Sequence, residues 1–124
     1  MAAKKILIVD DENLLVETIK DRLEFTGYEV RTAGNGAEAL KFLESETVDL
    51  IIMDVAMPVM DGIQTTKVIK TTERLKKIPV IFLTASVRRK DEQETREAGG
   101  NDYMTKPFEV ASLLKMIEKW TSAE

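Results

Sequence analysis

Leu50-Ile51-Ile52-Met53-Asp54 is four apolar residues closed by a carboxylate. A short, unbroken apolar run is the pattern of a parallel strand buried on both faces. Two runs of the same kind lie on either side of it: Ile6-Leu7-Ile8-Val9, closed by Asp10 and Asp11, and Val80-Ile81-Phe82-Leu83, closed by Thr84. Helix-like stretches separate the strands. Asn13 to Phe25 carries Leu15, Ile19 and Leu23 on one face and stops at Gly27. Ala37 to Leu43, after the turn signal Gly34-Asn35-Gly36, uses Ala39, Leu40 and Leu43. Ile63 to Lys70 follows a loop with Pro58 and Gly62, and Val87 to Ala98 ends at Gly99-Gly100. After Pro107, Val110, Leu113, Leu114, Ile117 and Trp120 form a regular helical stripe. Tyr28 to Thr32 alternates, with Tyr28, Val30 and Thr32 set against Glu29 and Arg31. Tyr103-Met104-Thr105 is a brief last strand.

Five strand–helix units in alternation predict an α/β fold: a doubly wound, five-stranded parallel sheet flanked by five helices. The unbroken apolar strands one, three and four belong in the centre. The alternating second strand and the short fifth belong at the edges, which predicts the order 2-1-3-4-5.

The chain has 124 residues, so a single domain over 1–124 is expected. Eighteen basic against 22 acidic residues leave a net charge of −4, a field that favours neither nucleic acid nor an anionic membrane. There is no cysteine and no histidine. Disulfides, thiolate nucleophiles, Cys or His metal sites, a Ser-His-Asp triad and a phosphohistidine on this chain are therefore excluded. No apolar run approaches the roughly 20 residues of a membrane span, and the start is too short for a signal-peptide core. A cytoplasmic protein is expected. Carboxylates, hydroxyls and lysines must carry any chemistry.

In an open α/β sheet, ligands bind beyond the carboxyl ends of the strands, at the point where strand order reverses. Here that crevice collects Asp10 and Asp11 after strand one, Asp54 after strand three, Thr84 after strand four and Lys106 after strand five. Three crowded carboxylates repel one another, and Mg2+ relieves the conflict while leaving positions for a phosphate oxygen. Lys106 adds a compact cation and Thr84 a hydroxyl donor. Singly, each residue has an ordinary use: Asp11 as a helix N-cap, Thr84 in a loop, Lys106-Pro107 as turn chemistry. Jointly, four strand ends deliver the parts of a phosphoryl-transfer site in which an aspartate can be the nucleophile.

These motifs resemble the receiver domain of bacterial two-component response regulators. The matching stretches are Ile6 to Glu12, Asp49 to Gly62 (with Asp54, Pro58 and Asp61), Ile78 to Ala85, and Ala98 to Phe108 (with Tyr103, Lys106 and Pro107). The resemblance covers essentially the whole chain and implies a phosphorylation-dependent signalling switch. It implies that Asp54 accepts a phosphoryl group from a phosphohistidine on a sensor histidine kinase or phosphotransfer protein. Asp11 and Asp54 would bind Mg2+, with Asp10 nearby and the backbone carbonyl of Ala56 as a further ligand. Lys106 would contact the phosphoryl group, the Lys106–Pro107 peptide would be cis, and Thr84 and Tyr103 would form the switch pair. Such a domain assists its own phosphorylation and dephosphorylation and is not an enzyme acting on a separate substrate. A monomer with at most weak dimerisation is expected.

Ala56 and Ser86 stand where the family's side chains influence dephosphorylation, and neither can orient an attacking water well, so slow self-dephosphorylation is expected. Thr95 and Gly100 stand where the family leads one to expect alanines. The fourth helix has almost no apolar residue and carries Arg88, Arg89 and Lys90 at its start, which the helix dipole disfavours. It is expected to be weakly anchored and to respond to phosphorylation, forming an output surface with strand five and helix five.

Two other classes compete. A small Asp-nucleophile phosphatase of the haloacid-dehalogenase type uses an Asp-x-Asp pair, whereas Asp10 and Asp11 are adjacent and Asp54 would be unexplained. A flavodoxin-like electron carrier needs a phosphate-binding loop after strand one, where Asp10-Asp11-Glu12 would repel the phosphate. No Gly-Lys-Ser/Thr phosphate loop occurs.

Overall fold

The computed structural model describes residues 3–85 and 88–122, apart from the side chains of Arg89 and Lys90. In chain order the elements are β1 Lys5–Val9, α1 Asn13–Thr26, β2 Glu29–Ala33, α2 Gly36–Ser45, β3 Leu50–Asp54, α3 Gly62–Thr71, β4 Val80–Thr84, α4 Arg89–Glu97, β5 Asp102–Thr105 and α5 Val110–Thr121. All strand pairs are parallel, in the order β2-β1-β3-β4-β5. This is the architecture and the order expected from the sequence. Among the described residues, no helix is long and apolar enough to cross a membrane.

Successive strand residues point to opposite faces, so the three buried central strands supply two cores at once. Leu7, Val9, Ile51, Met53, Val80 and Phe82 share one cluster with Ala39 and Leu43 of α2 and Ile69 of α3. Ile6, Ile8, Leu50, Ile52, Ile81 and Leu83 share the other with Val16, Ile19 and Leu23 of α1 and Leu113 and Ile117 of α5. Burying one such side chain is worth about 1.5–3 kcal/mol, so both faces of the sheet demand cover.

Some local expectations change. Val16, Ile19 and Leu23 are the buried residues of α1, with Leu15 only partly covered. In β2, Val30 and Ala33 are buried and Thr32 is exposed, because an edge strand is covered less evenly than a central one. The fourth helix begins at Arg89, and Val87 lies outside the described residues. Its dipole is better matched than the sequence suggested. Arg88 is the N-cap and pairs with Asp91 at 3.1 Å, Asp91 and Glu92 fall in the first turn, and Arg96 in the last. Gly100 departs from the expected alanine for a steric reason: a Cβ there would lie 2.5 Å from Phe82 Cε2.

Candidate functional site

The sheet's hydrogen bonding runs one residue past the strand ends and holds their tips in a row. Asp10 N donates to Ala33 O at 3.1 Å, Val55 N to Leu83 O at 3.0 Å, and Lys106 N to Thr84 O at 2.7 Å. The β3–α3 loop folds back on the end of β3, with Gly62 N donating to Val55 O at 2.9 Å. A Cβ on Gly62 would sit 2.1 Å from Asp54 O, so only glycine permits this approach. Asp61 caps α3, its Oδ1 accepting from Gln64 N at 2.8 Å. Between these, Met60 N donates to Pro58 O at 2.7 Å across Val59, whose φ of 70° makes a γ-turn of the strained, positive-φ form.

Above the strand tips opens a cavity of about 530 Å3, walled by Asp11, Glu12, Asp54, Ala56, Thr84 and Lys106 and, from α4, by Asp91 and Glu94. Lys106 reaches three carboxylates there. Its Nζ lies 3.1 Å from Asp10 Oδ2, 2.5 Å from Glu12 Oε1 and 3.5 Å from Asp54 Oδ1. Burial, followed by the charge of Asp10, pushes the Asp54 carboxyl up to about 6, against a smaller opposing pull from Lys106. Burial by itself lowers the Lys106 ammonium, but its hydrogen bonds to Glu12 and Asp10 and the nearby aspartate charges outweigh that and hold it above its ordinary range.

Asp10, Glu12 and Asp54 each offer an oxygen, and the three lie within 4.8 Å of one another. The acidic pocket that these oxygens form, with Asp11 at its rim, suits a hard divalent cation such as Mg2+, while Glu12 itself is engaged by Lys106. Asp11 is exposed and takes a different position from the one a cap would hold. It lines the cavity rim, its charge reaches Asp54, and the N-cap of α1 is Glu12. Asp10 instead closes an Asx turn before the helix, its Oδ1 accepting from Glu12 N at 2.9 Å. Thr84 is buried at the cavity wall, Ala56 is exposed on it, and the Lys106–Pro107 peptide is cis. Tyr103 stands apart from the cavity lining, half-buried on β5. A hydrogen bond to the Glu92 carboxylate of α4 raises its hydroxyl pKa. Ser86 lies outside the described residues.

Glu12, Asp91 and Glu94 are the cavity groups to which sequence reasoning assigned no role. Glu12 directly follows the strand-one acids, which is a signal of position. The two α4 acids carry no such signal, since a polar helix shows no inward face.

The family model of the response regulator receiver domain matches residues 6–118. The chain belongs to that family. Among curated relatives, the receiver domain is 44% identical over 117 residues to the alkaline phosphatase synthesis transcriptional regulatory protein PhoP of Bacillus subtilis. That match covers 92% of this chain and 48% of PhoP, so the chain spans about half the length of that relative. It is 35% identical over 117 residues to the polar-differentiation response regulator DivK of Brucella anthropi, covering 94% of this chain and 95% of DivK. Among solved structures it superposes with a TM-score of 0.90 on the receiver domain of the sensor histidine kinase PA1611 of Pseudomonas aeruginosa. The two are 34% identical, 98% of this chain and 100% of that one are covered, and that protein has a magnesium ion coordinated in its active-site cleft. The receiver domain is thus a phosphorylation-dependent signalling switch, and the phosphatase alternative finds no support among these relatives.

Proposed function

We propose that Asp54 is the phospho-acceptor of this receiver domain and that its donor is a phosphohistidine on a sensor histidine kinase or phosphotransfer protein. The observation that carries this reading is the approach of Lys106 Nζ to within 3.5 Å of a buried Asp54 at the tip of a central strand. In the transfer, an Asp54 oxygen forms the new P–O bond. The P–N bond to the donor imidazole breaks, and its electron pair stays on the ring nitrogen. Lys106 neutralises charge on the transferring oxygens, and the Thr84 hydroxyl stands on the same wall to donate to one of them. Asp10, Asp11 and Asp54, with the backbone carbonyl of Ala56, would hold Mg2+, which supplies further charge neutralisation when bound.

The chain in this way assists its own phosphorylation and its own hydrolytic dephosphorylation. Thr84 and Tyr103 act as the switch pair, and the downstream target protein binds the face made by α4, β5 and α5. Residues 1–124 act as one cytoplasmic domain, a monomer or weak dimer without nucleic-acid or membrane contacts of its own. Intact mass after incubation with acetyl phosphate and Mg2+ tests the acceptor. One phosphoryl adduct is expected on the wild type and none on Asp54→Asn, and an adduct that survives the substitution places the acceptor elsewhere.

A further inference from the structure

Glu12 lies closer to Lys106 than either buried aspartate does: 2.5 Å, against 3.1 Å for Asp10 and 3.5 Å for Asp54. It occupies the N-cap position of α1, yet its side chain makes no cap hydrogen bond. Glutamate is not among the residues favoured for capping, and this side chain reaches across to Lys106 instead. Its backbone is pinned by the bond from its N–H to Asp10, so only the side chain is free to change place. That side chain is 58% exposed, whereas those of Asp10 and Asp54 are 0% and 8% exposed. A buried carboxylate cannot leave a cation without stranding its own charge, while an exposed one passes to water at small cost. Beside Glu12 opens a second hollow of about 320 Å3, bounded by Glu12, Leu15, Lys106, Pro107 and Phe108.

We propose that Glu12 is a displaceable counter-ion of Lys106, holding the ammonium until a phosphoryl group on Asp54 replaces it, and that it thereby sets how readily the site accepts phosphoryl groups. This rests on the reading of Asp54 as acceptor. A phosphoryl group on Asp54 brings anionic oxygens into the cavity that already holds three carboxylates around one ammonium. Glu12 then both competes with those oxygens for Lys106 and repels them. Of the three acids it alone is exposed enough to withdraw, into solvent or into the adjoining hollow. Removing its charge, or shortening its reach, removes the competitor.

The test is the affinity for beryllofluoride, a phosphoryl mimic, at saturating Mg2+. It is measured by calorimetry on the wild type, Glu12→Gln and Glu12→Asp, each also combined with Lys106→Met. Glu12→Gln is expected to bind the mimic about two- to fivefold tighter, the range of a partly exposed ion pair. Glu12→Asp keeps the repelling charge but loses a methylene of reach, and is expected to fall between the wild type and Glu12→Gln. The gain is expected to vanish in the Lys106→Met background. Weaker binding by either Glu12 variant overturns the proposal, as does a gain that persists without Lys106. It is also overturned if Glu12→Gln lowers the affinity for Mg2+ alone tenfold or more in the Lys106→Met background, because Glu12 would then be a metal ligand. Asp54→Asn that still binds the mimic would instead overturn the acceptor assignment on which the proposal stands.

Discussion

Asp54 is an aspartate whose environment opposes its charge. Its carboxyl titrates near 6 in the folded chain, against an ordinary value of 3.8. The native state therefore holds a proton that the unfolded state has already released between those values, and metal-free stability falls as pH rises from about 4 to about 6. The loss attributable to this group is on the order of 1–3 kcal/mol. Asp54→Asn should be more stable than the wild type above pH 6 and should converge with it near pH 4, as read by urea unfolding in a chelator. On the proposed acceptor role the ionised carboxylate is the nucleophile, so phosphoryl uptake in the presence of Mg2+ should require the deprotonated form and rise through about pH 6. Ala56 makes a second prediction at this scale. It is exposed on the cavity wall and has no group to orient water. Decay of the phosphoryl adduct should be slow, and Ala56→Asn should speed it roughly tenfold, short of the 10²–10⁴ of full general-base catalysis. Adduct mass followed over time measures both.

At the scale of elements, α3 and α4 are opposites. In α3, Gly62, Thr65, Thr66 and Ile69 are buried. Among the described residues, the Thr66 hydroxyl is buried without a hydrogen-bond partner. Thr66→Val keeps the shape and removes the unsatisfied group, so it should stabilise the chain by about 1 kcal/mol, seen as a higher urea midpoint. Among its described residues, α4 adds no side chain to either apolar core. It has a polar link to the sheet in the bond from Tyr103 of β5 to Glu92, while Glu92 and Arg96 pair within the helix itself. Few buried apolar groups mean a low local opening free energy. Amide exchange in α4 should be at least about tenfold faster than in α1, and phosphorylation should change it more than in any other helix. Equal protection in the two helices, with and without a phosphoryl mimic, would contradict this role for α4.

At the scale of the whole molecule, the acidic crevice sits at the tips of the strands that form both cores, so occupancy of the site and stability of the fold are linked. Mg2+ at about 100 times its dissociation constant should stabilise the native state by about 2.7 kcal/mol, and Asp54→Ala should lose most of that gain. Urea unfolding with and without chelator measures it. The sheet order and the gathering of Asp10, Asp11, Asp54, Thr84 and Lys106 were legible in the sequence, because an apolar run with a polar residue at its end is a local pattern and parallel topology does the rest. Local pattern could not say which acids converge. Glu12 meets Lys106 from 94 residues away, while Asp11 turns outward to the rim. Those directions depend on the backbone path of the β1–α1 loop and on the partner that the fifth strand brings across. In the same way, Gly100 answers to the Phe82 ring on a neighbouring strand. The sequence by itself determined the order of the strands and the chemistry at their tips. Only the tertiary structure decided which side chains face one another, because side-chain direction at a strand end follows from contacts between segments distant along the chain.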